Sequence, residues 1–329
     1  MKHSKLSHLL GNTLKRIYEK AAFDEAYVQE IRIRIHCPFL VKYKGEEWML
    51  TRDGKKVETW QTAYQIQQKD IKETMSFVAD YSIYAYEDEL KQGYLTVEGG
   101  HRVGVAGKVI TEHKLAQGIS FSYMKGMKYI TYINIRAAHE IKGCSKPLLP
   151  YVVEDGCVYH TLIISPPCSG KTTLLRDLIR QLSAGNENFQ GYSIGVVDER
   201  SELGGSYMGI PQNDLGPRTD ILDACPKAEG MMMLTRSMAP EVIAVDEIGS
   251  SSDIRAIESV IHCGCKLIAT VHGASLDDVK KKPLFEWILK ERVFQRYIVL
   301  HNREKIGQIQ GVFNEAGECL VPHTAGLDL

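Results

Sequence analysis

Two short segments in the second half of the chain carry residue types suited to handling phosphate. Residues 165–172 read SPPCSGKT directly after the apolar run Tyr159 to Ile164, and residues 242–247 read VIAVDE. A nucleotide's β and γ phosphates need inward-turned backbone N–H groups and a helix N-terminus aimed at them, so such a loop must be tight and feed straight into a helix. The stretch Ser165, Pro166, Pro167, Cys168, Ser169, Gly170, Lys171, Thr172 and Thr173 fits that description, with the helix opening at its end. Gly170 suits the turn, Lys171 offers a point charge to the β and γ oxygens, and the Thr172 hydroxyl is placed to hold Mg2+. Asp246, at the carboxyl end of a buried strand, is placed to bind the same ion through water, and Glu247 to polarise the attacking water. Mg2+ prefers few protein ligands and keeps several waters, so this sparse set is enough. The expected ligands are a nucleoside triphosphate and Mg2+, and the expected chemistry is hydrolysis.

The loop departs from the usual pattern in two places. Ser165 stands where the first glycine is expected, and Cys168 sits inside the loop where glycine is common. Both are small enough for the loop to close, but either would be strained at a position needing positive φ. A chance GKT after a strand, or a strand merely ending in solvated carboxylates, would explain each segment alone. The agreement of strand, loop, helix and downstream VIAVDE favours the joint reading.

The elements that must position these residues are legible around them. Apolar runs predict strands at 159–164, 193–197, 241–246, 266–270 and 296–301, with helices near 171–183, 226–238, 253–262 and 283–292. Near-continuous apolar strands separated by amphipathic helices argue a parallel sheet covered on both faces. Ligands then sit at the carboxyl ends of the strands. Lys171 follows the first strand, Asp198 and Glu199 the second, Asp246 and Glu247 the third, Thr270 and His272 the fourth. The amino half instead shows short alternating segments at 30–35, 39–43 and 48–51, a helical stretch from Asp70 to about Gln92, and further strands at 94–97, 102–110 and 129–136, which suggests an α+β domain. Gly143, Pro147 and Pro150 mark the boundary, giving domains of residues 1–143 and 144–329.

The composition is that of a soluble globular protein, with 25% charged residues and a net charge of -1, which gives no global electrostatic case for nucleic acid. Scattered cysteines without a leader-like segment point to a reducing cytoplasm, and no apolar run approaches the ~20 residues of a transmembrane helix. His262, Cys263 and Cys265 are the tightest metal-like cluster, but a zinc site needs a second pair at useful spacing, so buried thiols are the expectation. Leu6, Leu10, Leu14 and Ile17 line one face of a basic first helix over Lys5–Lys20. Such a helix packs on its own domain or docks on a membrane or partner, and the first is the commoner outcome.

The segments EIRIRIHCPF (30–39), GYLTVEGGHRVGVAGK (93–108), NIRAAHEIKG (134–143), SPPCSGKTTLLRD (165–177), VVDERSELGG (196–205), TRSMAPEVIAVDEIG (235–249) and IATVHG (268–273) resemble the stage III sporulation protein AA family, over about residues 6–315. That family is itself similar to the ATPases of type II and type IV secretion systems. The resemblance implies a RecA/AAA-like P-loop NTPase domain of the ASCE type, α/β in class, behind a smaller α+β amino-terminal domain. It implies an ATPase of the mother-cell to forespore channel, acting as a ring, hexameric, at the membrane through an integral inner-membrane component, without direct nucleic-acid contact. It also implies an acidic box at Asp198 and Glu199 and a γ-phosphate-sensing histidine at His272. Arginines complete the site, with Arg102, Arg136, Arg200 and Arg236 as candidates. An arginine finger from a neighbour contributes ~10³ or more in rate. Between Glu247 and Glu199 as the water-polarising residue, Glu247 is favoured because it shares a strand end with Asp246.

Overall fold

The computed structural model describes residues 5–80, 86–116, 119–301 and 307–321. The chain folds as two compact units, Met1–His139 with Gly205–Met208, and Glu140–Gly204 with Gly209–Leu329.

The amino-terminal unit is built on an antiparallel sheet of seven strands, β1 (Val28–Arg34), β2 (Leu40–Tyr43), β3 (Glu46–Leu50), β4 (Lys56–Val57), β5 (Tyr94–Thr96), β6 (Arg102–Ala116) and β7 (Ile119–Arg136), in the order β4-β3-β2-β1-β7-β6-β5. The EIRIRI alternation works as strand chemistry requires, with Ile31 and Ile33 fully buried and Arg32 and Arg34 on the other face. β6 and β7 stay paired from Arg102 opposite Arg136 out to Ala116 opposite Ile119, well past the residues that β5 and β1 engage.

Helices α1 (Asn12–Ala21), α2 (Gln68–Val78) and α3 (Glu87–Gln92) belong to this unit. Two expectations are corrected here. The first helix is split, because a 3-10 turn over Leu6–Leu9 ends before Gly11, whose N–H donates to Thr74 Oγ1 at 3.1 Å and where a Cβ would collide with Glu73. Leu6, Leu10, Leu14 and Ile17 are all buried in the unit's own core, so this apolar face packs internally. The stretch from Asp70 to Gln92 is likewise not one helix: α2 stops at Val78, and Asp80 takes a left-handed φ of 43°.

The carboxyl-terminal unit opens with α4 (Leu149–Val152) and the hairpin β8 (Val153–Glu154) and β9 (Cys157–Val158). There follow β10 (Thr161–Ser165), α5 (Lys171–Ala184), the hairpin β11 (Gly185–Asn186) and β12 (Phe189–Gln190), β13 (Ile194–Asp198), β14 (Thr219–Asp223), α6 (Lys227–Ser237), β15 (Val242–Val245), α7 (Ser251–His262), β16 (Lys266–His272), α8 (Leu276–Lys280), α9 (Glu286–Lys290), β17 (Arg296–Leu300) and β18 (Ile309–Asn314). The sheet order is β14-β13-β15-β16-β10-β17-β18, parallel except for β18 at one edge. Strands β10, β13 and β15 are buried along their whole length, as a sheet covered on both faces demands. Alternate residues serve opposite cores: Ile163 packs with Leu174, Leu175 and Leu178 of α5, whereas Leu162 and Ile164 pack with Leu234 of α6 and Ile257 and Val260 of α7. One strand, β16, lies between β10 and β15, so the loop after β10 and the carboxylates after β15 must meet across it.

Candidate nucleotide-binding site

The loop after β10 closes as the sequence requires, and its strain falls on one residue. Gly170 takes φ 94° as the N-cap of α5, a conformation open to glycine. Cys168 takes φ 63°, so this exposed cysteine carries the left-handed backbone that glycine would adopt freely. Ser165 is not strained: it is the buried last residue of β10, paired with His272, and its carbonyl accepts from Gly273 N at 3.1 Å. The Ser169 hydroxyl is buried and finds no hydrogen-bond partner among the described residues. An orphaned hydroxyl inside a glycine-turned loop at the start of a 14-residue helix fits a loop built to receive an anion.

The carboxylates converge on that loop. Thr172 Oγ1 donates to Asp246 Oδ2 at 2.7 Å, and the Lys171 ammonium lies 3.9 Å from Asp246 Oδ1 and in direct ion contact with Glu247. Thr270, reaching in from β16, donates its hydroxyl to Asp246 and accepts the Glu247 N–H at 2.8 Å. One hydroxyl on the intervening strand therefore orients both acids. Glu247 also contacts His272 Nε2 at 3.0 Å and Arg200 Nη1 at 3.2 Å, and its backbone sits at φ 56°. Burial alone would raise the Glu247 carboxyl, but Lys171, His272 and Arg200 outweigh it and hold the group below the ordinary carboxylate range.

The acidic pair after β13 divides its work. Asp198 is buried and takes the N–H groups of Glu202, Leu203 and Gly204 at 2.8, 2.9 and 2.8 Å. Burial pushes its carboxyl up to about 6 against those bonds, with Asp223 adding to the rise. Glu199 turns to an ion pair with Lys227, at the start of α6. Of the two candidate arginines in this unit, Arg200 lies against the cluster. Arg236 is on the last turn of α6, at the opposite end of that helix from Lys227, and Arg102 and Arg136 lie on β6 and β7 of the other unit, Arg102 stacked 3.6 Å over the Tyr94 ring. Sequence reasoning missed Arg176, Lys227 and the anchoring role of Asp198. The available signal was a charged Arg176 beside the apolar Leu174, Leu175 and Leu178, four residues after Thr172. His262 and Cys263 are exposed while Cys265 is buried, and among the described residues no three potential metal ligands group together.

Comparison with known proteins matches residues 1–320 to the model of the family described as sporulation stage III, protein AA. The chain belongs to that family. It is 41% identical over 315 residues to stage III sporulation protein AA of Bacillus subtilis, covering 96% of this chain and 95% of that one. The fold of this family member is similar to that of the ATPase DotB of Legionella pneumophila, with a TM-score of 0.53 at 15% identity over 87% of this chain and 75% of the other. It is also similar to the pilus retraction motor PilT bound to ADP, with a TM-score of 0.53 at 13% identity over 94% and 83% of the two chains. These likenesses show the α/β fold that the alternating apolar runs and amphipathic helices implied. Among the described residues no helix is long and apolar enough to cross a membrane.

Proposed function

We propose that the chain is a Mg2+-dependent ATP phosphohydrolase that energises or assembles a mother-cell to forespore channel during endospore formation. The observation that carries this reading is the 2.7 Å contact of Thr172 with Asp246, beside Lys171 and the orphaned Ser169 hydroxyl. A hydroxyl paired with a strand-end carboxylate is the donor set that P-loop NTPases give Mg2+. Thr172 and Asp246 would hold that ion, which when bound neutralises charge on the β and γ phosphates. Ser165 to Thr173 form the phosphate cradle. Lys171 leaves Glu247 for phosphate oxygens, and Glu247, freed of its strongest counter-charge, regains basicity and orients the attacking water. His272 shares a carboxylate oxygen of Glu247 with Lys171, so it registers which of these states is occupied. Glu199, paired with Lys227, supports the site at one remove.

Membership in a sporulation family and the fold shared with a pilus motor support a ring oligomer, hexameric, held at the membrane from the cytoplasm by an integral inner-membrane component. Arg102, Arg136 or Arg236 of a neighbouring subunit would then complete the site, with the amino-terminal unit making assembly contacts. ATP turnover of the purified chain, measured against protein concentration, tests the reading. Turnover should rise steeply with concentration, and Glu247→Gln should keep Mg-ATP binding while losing at least ~10²-fold in kcat, against a smaller loss for Glu199→Gln. Failure to retain Mg-ATP refutes the proposal. Stimulation by nucleic acid alone would make this a nucleic-acid-dependent ATPase, and sporulation sustained by Glu247→Gln would make it a nucleotide-gated scaffold.

A further inference from the structure

Arg200 has a long, mostly exposed side chain, 62% accessible, yet it meets Glu247 at a defined 3.2 Å. A flexible side chain holds one geometry only if its backbone is fixed, because immobilising it costs about 2 kcal/mol of rotamer entropy. The loop that carries it, Glu199–Gly204, is fixed from two sides. Asp198 takes three consecutive N–H groups, and the Arg176 guanidinium donates from Nε to Leu203 O at 3.0 Å and from Nη2 to Glu202 O at 2.6 Å. Asn213 adds a bond to the same Leu203 carbonyl at 2.9 Å. Arg176 is four residues beyond Thr172 on α5, so the two project from one face of the helix that begins at the phosphate loop.

We propose that Arg176 is a positioning residue: it ties the loop bearing Glu199 and Arg200 to the phosphate-loop helix and so sets where Arg200 meets Glu247. The proposal rests on the reading of this cluster as a nucleotide site. Two adjacent carbonyls taken by one planar guanidinium are a fork geometry that lysine cannot reproduce, and an apolar residue would leave both carbonyls without these bonds. A single rigid helix then carries Lys171 and Thr172 at its start and the anchor of Arg200 further along.

The test uses the full chain with Arg176→Gln, Arg176→Lys, Arg200→Ala and the double variant Arg176→Gln/Arg200→Ala. Amide exchange without nucleotide should accelerate at least tenfold at Glu202–Gly204 in Arg176→Gln, with β13 unchanged, and Arg176→Lys should be intermediate. In hydrolysis, Arg176→Gln should keep KM for ATP within threefold while kcat falls about tenfold, and the double variant should be no slower than Arg200→Ala within a factor of two. Unchanged exchange, or a double-variant loss equal to the product of the single losses, overturns the proposal. If Arg176→Gln does not fold, Arg176→Lys decides by its exchange, and unfolding of both overturns it by making Arg176 a support of the fold alone. A wild-type chain without ATP turnover refutes the nucleotide reading, while the exchange comparison still decides what Arg176 holds.

Discussion

Thr270→Val exchanges one hydroxyl for a methyl group on the same β-branched frame, at a position that is fully buried. That hydroxyl makes two bonds, donating to Asp246 and accepting the Glu247 N–H at 2.8 Å. Losing a hydrogen bond to a carboxylate costs about 1.5–3 kcal/mol, and a backbone N–H left without an acceptor costs about 1–3 kcal/mol. The variant gains back part of this because no hydroxyl is desolvated on folding, worth about 1–3 kcal/mol on mutational scales. The net expectation is a loss of about 2 kcal/mol. In urea unfolding followed by circular dichroism, the transition of the carboxyl-terminal unit should move to lower denaturant with an unchanged slope. In a melting experiment the shift should be roughly 4–8 °C for a unit of this size. Mg-ATP binding should weaken in parallel, because Asp246 loses the group that orients it toward Thr172. A variant within 0.5 kcal/mol of wild type, with unchanged Mg-ATP affinity, would refute the assignment of Thr270 as the common support of both acids.

Cys168→Gly should stabilise the chain by about 1 kcal/mol, read as a rise in urea midpoint, because the left-handed backbone there costs a side-chain-bearing residue about 1–2 kcal/mol. Asp177→Ala should cost about 3 kcal/mol, since its carboxylate takes the N–H groups of Gly143 and Ser145 at 2.9 and 2.8 Å, the Ser145 hydroxyl at 2.7 Å and the Arg180 guanidinium at 2.6 Å. Burial would raise the Asp177 carboxyl, but those bonds pull it down to about 2, so its stabilising contribution stands in full above pH ~4 and disappears as pH falls through 2. For Asp198 the sign reverses: with its carboxyl pushed up to about 6, its contribution is complete below pH ~3.8 and is lost as pH rises through 6, by about 3 kcal/mol at most. Between pH 4 and 7 the urea midpoint of wild type should therefore fall relative to that of Asp198→Asn, and parallel profiles would contradict it.

The sequence was most readable where one physical requirement dominated. Buried parallel strands need unbroken apolar runs, and β10, β13, β15 and β16 all fall within a residue or two of where such runs place them. The edge strand β14, reading TDILD and only partly buried, has no such run and escaped notice, as did the antiparallel β18. Lys171, Thr172, Asp246, Glu247 and His272 converge because each lies at or just beyond the carboxyl end of one of three neighbouring strands of one sheet. Contacts that cross between loops were not visible in the same way. The pairing of Glu199 with Lys227 and the grip of Arg176 on Glu202 and Leu203 depend on how a loop of about twenty residues folds back, which no local periodicity encodes. The helix expected from Asp70 to Gln92 breaks at Asp80, whose φ of 43° lies outside the right-handed helical region, and helix resumes only at α3.

The placement of β16 between the phosphate-loop strand and the Asp246 strand limits how this gene segment can vary in length. Thr270 and His272 lie two residues apart on one face of that strand, with Thr270 opposite Ile163 and His272 opposite Ser165. Inserting or deleting one codon between Lys266 and Thr270 would rotate both side chains to the far face of the sheet, stripping Asp246 and Glu247 of their partners at once. An added residue in the connections outside the strand would change no register.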